Sequence, residues 1–331
     1  MRPGHDSAAT AAAHSAPQLR CAGMQMSSAR RNLRTHPSVL SEGCCMSDRI
    51  ARACFRTLTS VAIAVLAVGC GSASARDKAA PAGSVIATDA HGYLEKAQVP
   101  DSLRLVPPPP QDGSAALAND QAIATSMLAL RGTPRWDLAT QDAALSFPAA
   151  ANHFSCALGI QIDQAHTPHL LRLLERSMRD ASTSTSAAKA RYQRPRPFMR
   201  NDQPMCTPDD DAALRKNGSY PSGHTAIGWS WGLILAELAP AQRDALLARG
   251  RAFGDSRLVC NVHWQSDVLQ GRIMGAATVA ALHDNPEFQK DLAAARREID
   301  KAHAKQPATA TASPACDAEN AALQTVLPGV M

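Results

Sequence analysis

Three short clusters in this 331-residue chain carry side chains that could act on an anion. The first is KARYQRPRP, residues 189–197. Lys189 sits at the end of an expected helix, and Pro195 and Pro197 push Arg194 and Arg196 into extended backbone. Arginine presents a planar fork of donors to an oxyanion, and lysine presents a point charge. The second cluster is NGSYPSGHTAIGW, residues 217–229. Ser222 is a good N-cap for the apolar run that follows. A helix start offers free N–H groups and a positive dipole end, Gly223 lets a ligand approach the backbone, and His224 overhangs that position. The third is GDSRLVCNVHWQSD, residues 254–267. Arg257 adds a cation, and His263 and Asp267 are spaced to share one face of a helix. A carboxylate there can take the proton of one imidazole nitrogen and leave the other free to attack.

Each cluster alone has a bland reading: a solvated basic loop, a helix cap, a surface His–Asp pair. Together they supply three cations, an anion-binding helix start, a supported histidine and a second histidine. That set suffices for phosphoryl transfer without a metal. No cysteine pair has metal-ligand spacing, and the one acidic run, Asp209-Asp210-Asp211, reads as a solvated loop or helix start.

These side chains need helices to hold them. Thr167-Pro168 reads as a cap and first-turn proline, followed by an apolar face of Leu170, Leu171, Leu174 and Met178. Further helices are expected over about 223–238, stopped by Pro240, over about 263–282, and from Asn285-Pro286 to about 302. No stretch has a convincing two-residue alternation. The fold class is therefore all-α, a single compact helical domain over 116–303. Residues 76–115 read as an extended lead-in ending in Pro107–Pro110. Residues 304–331 read as a biased, flexible tail.

The basic balance does not indicate nucleic acid. Residues 1–75 hold eight Arg against three acids, which accounts for the whole net charge of +5. Within that stretch, residues 46–75 have the pattern of a signal peptide: Arg49, Arg52 and Arg56, an apolar run over 58–68, then Ala73-Ser74-Ala75. Residues 1–45 read as an upstream over-extension. A second reading makes Cys70 the lipidated residue of an imperfect lipoprotein box, anchoring the chain without a membrane span. Of nine cysteines only Cys156, Cys206, Cys260 and Cys316 lie beyond the signal. Four cysteines in an exported chain suit two disulfides, with three pairings open.

The blocks K-x6-R-P, P-S-G-H and S-R-x5-H-x3-D occur here as Lys189, Arg196 and Pro197; Pro221, Ser222, Gly223 and His224; and Ser256, Arg257, His263 and Asp267. In this order they resemble the signature of the type 2 phosphatidic acid phosphatase superfamily, which includes the vanadium haloperoxidases. GSYPSGHT, GDSRLVCNVHWQSDVLQGR, the PPPP lead-in and RWDLATQDAALSF are similar, more narrowly, to bacterial class A non-specific acid phosphatases. The resemblance spans about residues 90–300 and leaves out the tail with Cys316.

The resemblance implies a cofactor-free, metal-independent acid phosphatase acting on small phosphomonoesters through a phosphohistidine. Lys189, Arg196, Arg257, Ser222 and Gly223 would bind phosphate. His263 would be the nucleophile, Asp267 its support, and His224 the proton donor. The same residues could instead hold vanadate in a haloperoxidase, or pass the phosphoryl group to an alcohol. An integral lipid phosphatase is disfavoured, because no apolar run of spanning length follows the signal. Partners other than substrate are not implied, and homo-oligomerisation is left open.

Overall fold

The computed structural model describes residues 91–305 and 313–330. The expected signal peptide, the upstream segment and Cys70 lie outside the described residues. Among the described residues all regular structure is helical. Nine helices matter here: α1 (Ala115–Met127), α2 (Pro134–Gln141), α3 (Pro168–Ser184), α4 (Ser186–Tyr192), α5 (Gly223–Leu238), α6 (Arg243–Val259), α7 (Gln265–Leu282), α8 (Pro286–Lys305) and α9 (Pro314–Leu323). No helix among these residues is long and apolar enough to cross a membrane.

Helix α5 is the centre of the domain. It is apolar on nearly every side, and α3, α6 and α7 pack around it, as expected for a helix with no solvent face. Trp231 is fully buried there, and its indole N–H donates to the Leu174 carbonyl of α3 at 3.0 Å. Phe154 and Phe253 meet its ring edge-on and tilted, about 6.0 Å between centroids. The α5–α6 contact is close because glycines face each other. A Cβ on Gly250 would lie 2.9 Å from the Gly228 carbonyl oxygen and 3.1 Å from the Gly232 Cα. Gly250→Ala is therefore expected to force the two helices apart and to cost about 1–3 kcal/mol. Chemical denaturation reads this directly, and an unchanged midpoint would contradict the close approach.

Several expectations shift in detail. Thr167 precedes α3 as expected, but its hydroxyl turns to Asp163. The free N–H groups of His169 and Leu170 are instead capped by Glu298 of α8, at 3.1 and 2.9 Å. Of the lead-in, the described residues 91–115 hold one helical turn, Ser102–Leu105, capped by Asp101. Pro107 accepts a hydrogen bond from the Tyr220 hydroxyl, which ties the proline run to the segment before Ser222. Helix α7 begins at Gln265, so His263 lies before it and not within it.

The tail differs more. The sequence gives residues 304–331 no element, yet Pro314–Leu323 forms α9, packed on α2. Two long-range ties hold it: a Cys156–Cys316 disulfide and a bond from Arg249 to Glu319 at 3.1 Å. Neither partner is near in sequence, so local composition carried no sign of them. The second disulfide joins Cys206 to Cys260.

Candidate active site

Helix α4 ends at Gln193, which adopts a left-handed conformation with φ 43°. The chain then turns through Pro195 and Pro197 toward the start of α7. Arg196 is 2% exposed. Its Nε donates to the carbonyls of Leu214 and Asn217, at 3.0 and 3.3 Å, and its Nη1 to the Val262 carbonyl at 3.0 Å. The Lys189 ammonium, one helical turn back in α4, donates to the Gly218 carbonyl at 2.8 Å. Both cations thus grip the backbone that leads into Ser222.

Ser222 caps α5 as the sequence suggests. Its Oγ accepts from the Thr225 N–H at 3.3 Å and from the Thr225 hydroxyl at 2.9 Å. The side chain is fully buried and does not line the cleft described below. The Ser222 N–H donates to the Asp267 carbonyl at 2.9 Å, which joins the second cluster to the third. Gly223 and His224 do face the cleft. The His224 Nε2 contacts the Ala143 carbonyl at 3.0 Å. A carbonyl only accepts, so Nε2 carries the proton and Nδ1 is left to exchange one with a ligand.

His263 is 3% exposed and held from both sides. Its Nδ1 lies 3.2 Å from Asp267 Oδ2, and its Nε2 lies 3.0 Å from Arg196 Nη1. A guanidinium only donates and a carboxylate only accepts. The network therefore assigns the proton to Nδ1 and a lone pair to Nε2. Asp267 Oδ2 also takes the Trp264 N–H at 2.9 Å, so the carboxylate closes the first turn of α7 while it holds the imidazole.

Lys189, Arg196, Gly223, His224, Arg257 and His263 line one cleft of about 390 Å³. Its lining contains no Asp or Glu, and its remaining walls include Leu145, Ile227, Ser182 and Thr185. Arg257 is the most telling member. It is 1% exposed, its Nε has no partner, and its only side-chain hydrogen bond among the described residues is a 3.9 Å contact to the Cys260 sulfur. A buried guanidinium without an oxygen acceptor is costly unless an anion completes it.

The electrostatics follow from burial and crowded positive charge. Burial, then Arg196, depress the Lys189 ammonium to about 7. Burial takes Arg196 and Arg257 down to about 10. His263 is held well below its usual range by burial, then by Arg196, Lys189 and Arg257. His224 is likewise lowered, by burial and then Arg257. Bound phosphate would oppose every one of these shifts, because it supplies the missing negative charge. No cluster of three or more His, Cys, Asp or Glu that could hold a metal ion exists among the described residues.

The structure therefore brings Lys189, Arg196, Gly223, His224, Arg257 and His263 to one cleft, with Asp267 directly behind and Ser222 turned inward. Sequence reasoning named Ser256 in the third block but missed the contacts that support the site. Ser256 donates to Asp142 at 2.6 Å and accepts from Arg135 at 2.9 Å, and Asp142 also pairs with Arg249. This buried knot fixes the helix that carries Arg257 and the segment whose Ala143 carbonyl meets His224. The stretch RWDLATQDAALSF, which holds Arg135 and Asp142, was the available signal. Asp120 was missed too, and Arg194 was named only as a cation of the first cluster, because no local pattern marks their pairing.

The PAP2 superfamily profile matches residues 177–290, which include all eight site residues. The chain is 46% identical to an acid phosphatase of Zymomonas mobilis subsp. mobilis over 202 residues, 61% of this chain and 76% of that protein. It is also 46% identical to a non-specific acid phosphatase of Providencia stuartii, over 63% of this chain and 85% of that one. A non-specific acid phosphatase of Salmonella typhimurium is 41% identical over 59% and 78%.

Proposed function

Because this chain belongs to the non-specific acid phosphatases of the PAP2 superfamily, we propose that it hydrolyses phosphate monoesters through a phosphohistidine on His263, without a metal. The observation that carries this reading is Arg257. It is a buried cation with no oxygen acceptor, in the same cleft as a histidine whose Nε2 lone pair is free of a proton.

In the first step Lys189, Arg196, Arg257 and the Gly223 N–H bind the phosphoryl oxygens. Arg196 turns part of its fork from His263 to the substrate, and Nε2 attacks phosphorus in line. The P–O bond to the alcohol breaks as the N–P bond forms. His224, which takes up an Nδ1 proton with the bound phosphate, delivers it to the departing oxygen. Asp267 keeps the Nδ1–H of His263 and balances the charge that grows on the ring. In the second step His224, now neutral, takes a proton from water, which attacks phosphorus and releases phosphate and His263. The Ser222 hydroxyl, turned to Thr225, supports the helix start in this scheme and contacts phosphate only if it rotates.

The built-in cations replace a metal, and they address the phosphoryl group that every phosphate monoester carries, which favours a broad range of esters. Four cysteines in two disulfides, with the signal-like segment 46–75, favour an exported enzyme.

The pH dependence follows from Lys189. A lysine is charged below its pKa, and here burial and Arg196 bring that down to about 7. Raising pH through that value discharges one of the three phosphate-binding cations. For p-nitrophenyl phosphate assayed from pH 4 to 9, kcat/KM is expected to peak on the acid side. It should fall toward about tenfold per unit above neutrality and be unchanged by EDTA. A profile still rising above pH 8, or activity abolished by EDTA, would overturn the reading.

A further inference from the structure

The two oxygens of Asp267 have separate duties. Oδ2 faces His263 and the Trp264 N–H. Oδ1 accepts from Arg194 Nη1 at 2.6 Å. The same nitrogen donates to the Ser266 hydroxyl at 2.7 Å, and Nη2 donates to Asp120 Oδ2 at 2.7 Å. Asp120, on α1, also takes the Ser266 N–H at 2.8 Å and its hydroxyl at 2.6 Å. Asp120 is 1% exposed and Asp267 fully buried. The guanidinium further lies over the Trp264 ring, 5.4 Å from its centroid. A closed ionic circuit thus sits behind the nucleophile, made by α1, the 193–197 segment and the first turn of α7.

We propose that Arg194, fixed by Asp120 and Ser266, is a positioning residue that aims the Asp267 carboxylate and so holds the Nδ1–H of His263. This rests on the roles given above to His263 and Asp267. The charged and titratable groups around Asp267 are Arg194, Asp120, His263, Lys189, Arg196 and Tyr220. Lys189 and Arg196 face the cleft, and phosphate will claim them. Arg194 does not line the cleft. It is therefore the cation that stays with Asp267 throughout the cycle. Its rigid fork spans two carboxylates, and an Asp267 side chain relieved of it could rotate its second oxygen away from His263.

The test uses imidazole ¹H–¹⁵N spectra of the free enzyme together with steady-state kinetics. Wild type is expected to show His263 protonated on Nδ1 alone. Arg194→Gln should weaken the hydrogen bond from His263 Nδ1–H to Asp267, seen as an upfield shift and faster exchange of that proton, and lower kcat about 10–100-fold. KM for p-nitrophenyl phosphate and inhibition by vanadate should stay within about twofold, because the phosphate-binding cations remain. In an Asp267→Asn background the same change should add less than about twofold, since both act through one link. Arg194→Gln leaves two buried carboxylates without their cation, so Arg194→Gln/Asp120→Asn, which removes opposite charges together, and Asp120→Asn alone accompany it. The same directions are expected in both. An unchanged Nδ1–H resonance with unchanged kcat, a loss confined to KM, or effects that multiply with Asp267→Asn would overturn the proposal. The Nδ1–H resonance is read without substrate, so the proposal stands or falls separately from the phosphohistidine mechanism.

Discussion

Replacing His263 by alanine is expected to lower phosphatase turnover by at least about 10⁴-fold, as loss of a covalent nucleophile does elsewhere. Binding should survive, because Lys189, Arg196, Arg257 and Gly223 are untouched. The variant should still bind vanadate or phosphate within a fewfold of wild type, as measured by calorimetry. The alanine also removes the group that Arg196 Nη1 and Asp267 Oδ2 both address. Asp267 keeps Arg194 and the Trp264 N–H, so the fold should hold. A residual rate near wild type would mean that another group, or water directly, attacks phosphorus.

His224→Ala should give the second large effect, and its size should depend on the leaving group. An alkoxide is a poor leaving group and needs a proton in the transition state. A p-nitrophenolate leaves readily as the anion. Loss of the proton donor should therefore cost about 10²–10⁴-fold on alkyl phosphates and far less in the first step on p-nitrophenyl phosphate. Two features support His224 as that donor. Its Nε2 is committed to Ala143, which leaves Nδ1 toward the cleft. Burial and Arg257 hold it neutral in the free enzyme, so substrate must bring the charge that lets it protonate. Equal losses on aryl and alkyl phosphates would remove this role.

How much of this was legible in the sequence divides along a physical line. Lys189, Arg196, His224, Arg257, His263 and Asp267 fall in three blocks because each block is one local structure: a helix exit, a helix start, and a turn into a helix. Their spacing is fixed by backbone geometry, so it can be read. The all-α class was readable for the same reason, from the apolar periodicity of α3 and the uniform apolarity of α5. What could not be read are choices among partners distant in sequence. Ser222 could have faced phosphate or its own helix, and the Thr225 hydroxyl decided for the helix. Asp120 is 74 residues from Arg194, and nothing local in either marks the pair. The cap of α3 passed from Thr167 to Glu298, and α9 exists because Cys156 and Arg249 reach Cys316 and Glu319.

The resemblance and the geometry agree on the reaction, but they carry different parts of it. The relatives support acid phosphatase activity. The tautomer of His263, the freedom of His224 Nδ1 and the uncompensated Arg257 are features of this chain's own contacts, and they give the activity a direction: nucleophile from one side, proton from the other.

The most direct test is to trap the intermediate. The enzyme is mixed with ³²P-labelled substrate, quenched in alkali within the first turnovers, and digested for peptide mapping. A label that survives alkali, is lost in acid, maps to His263, forms in the presence of EDTA and is absent from His263→Ala is the predicted result. No label during active turnover, or a label on another residue, would contradict the mechanism.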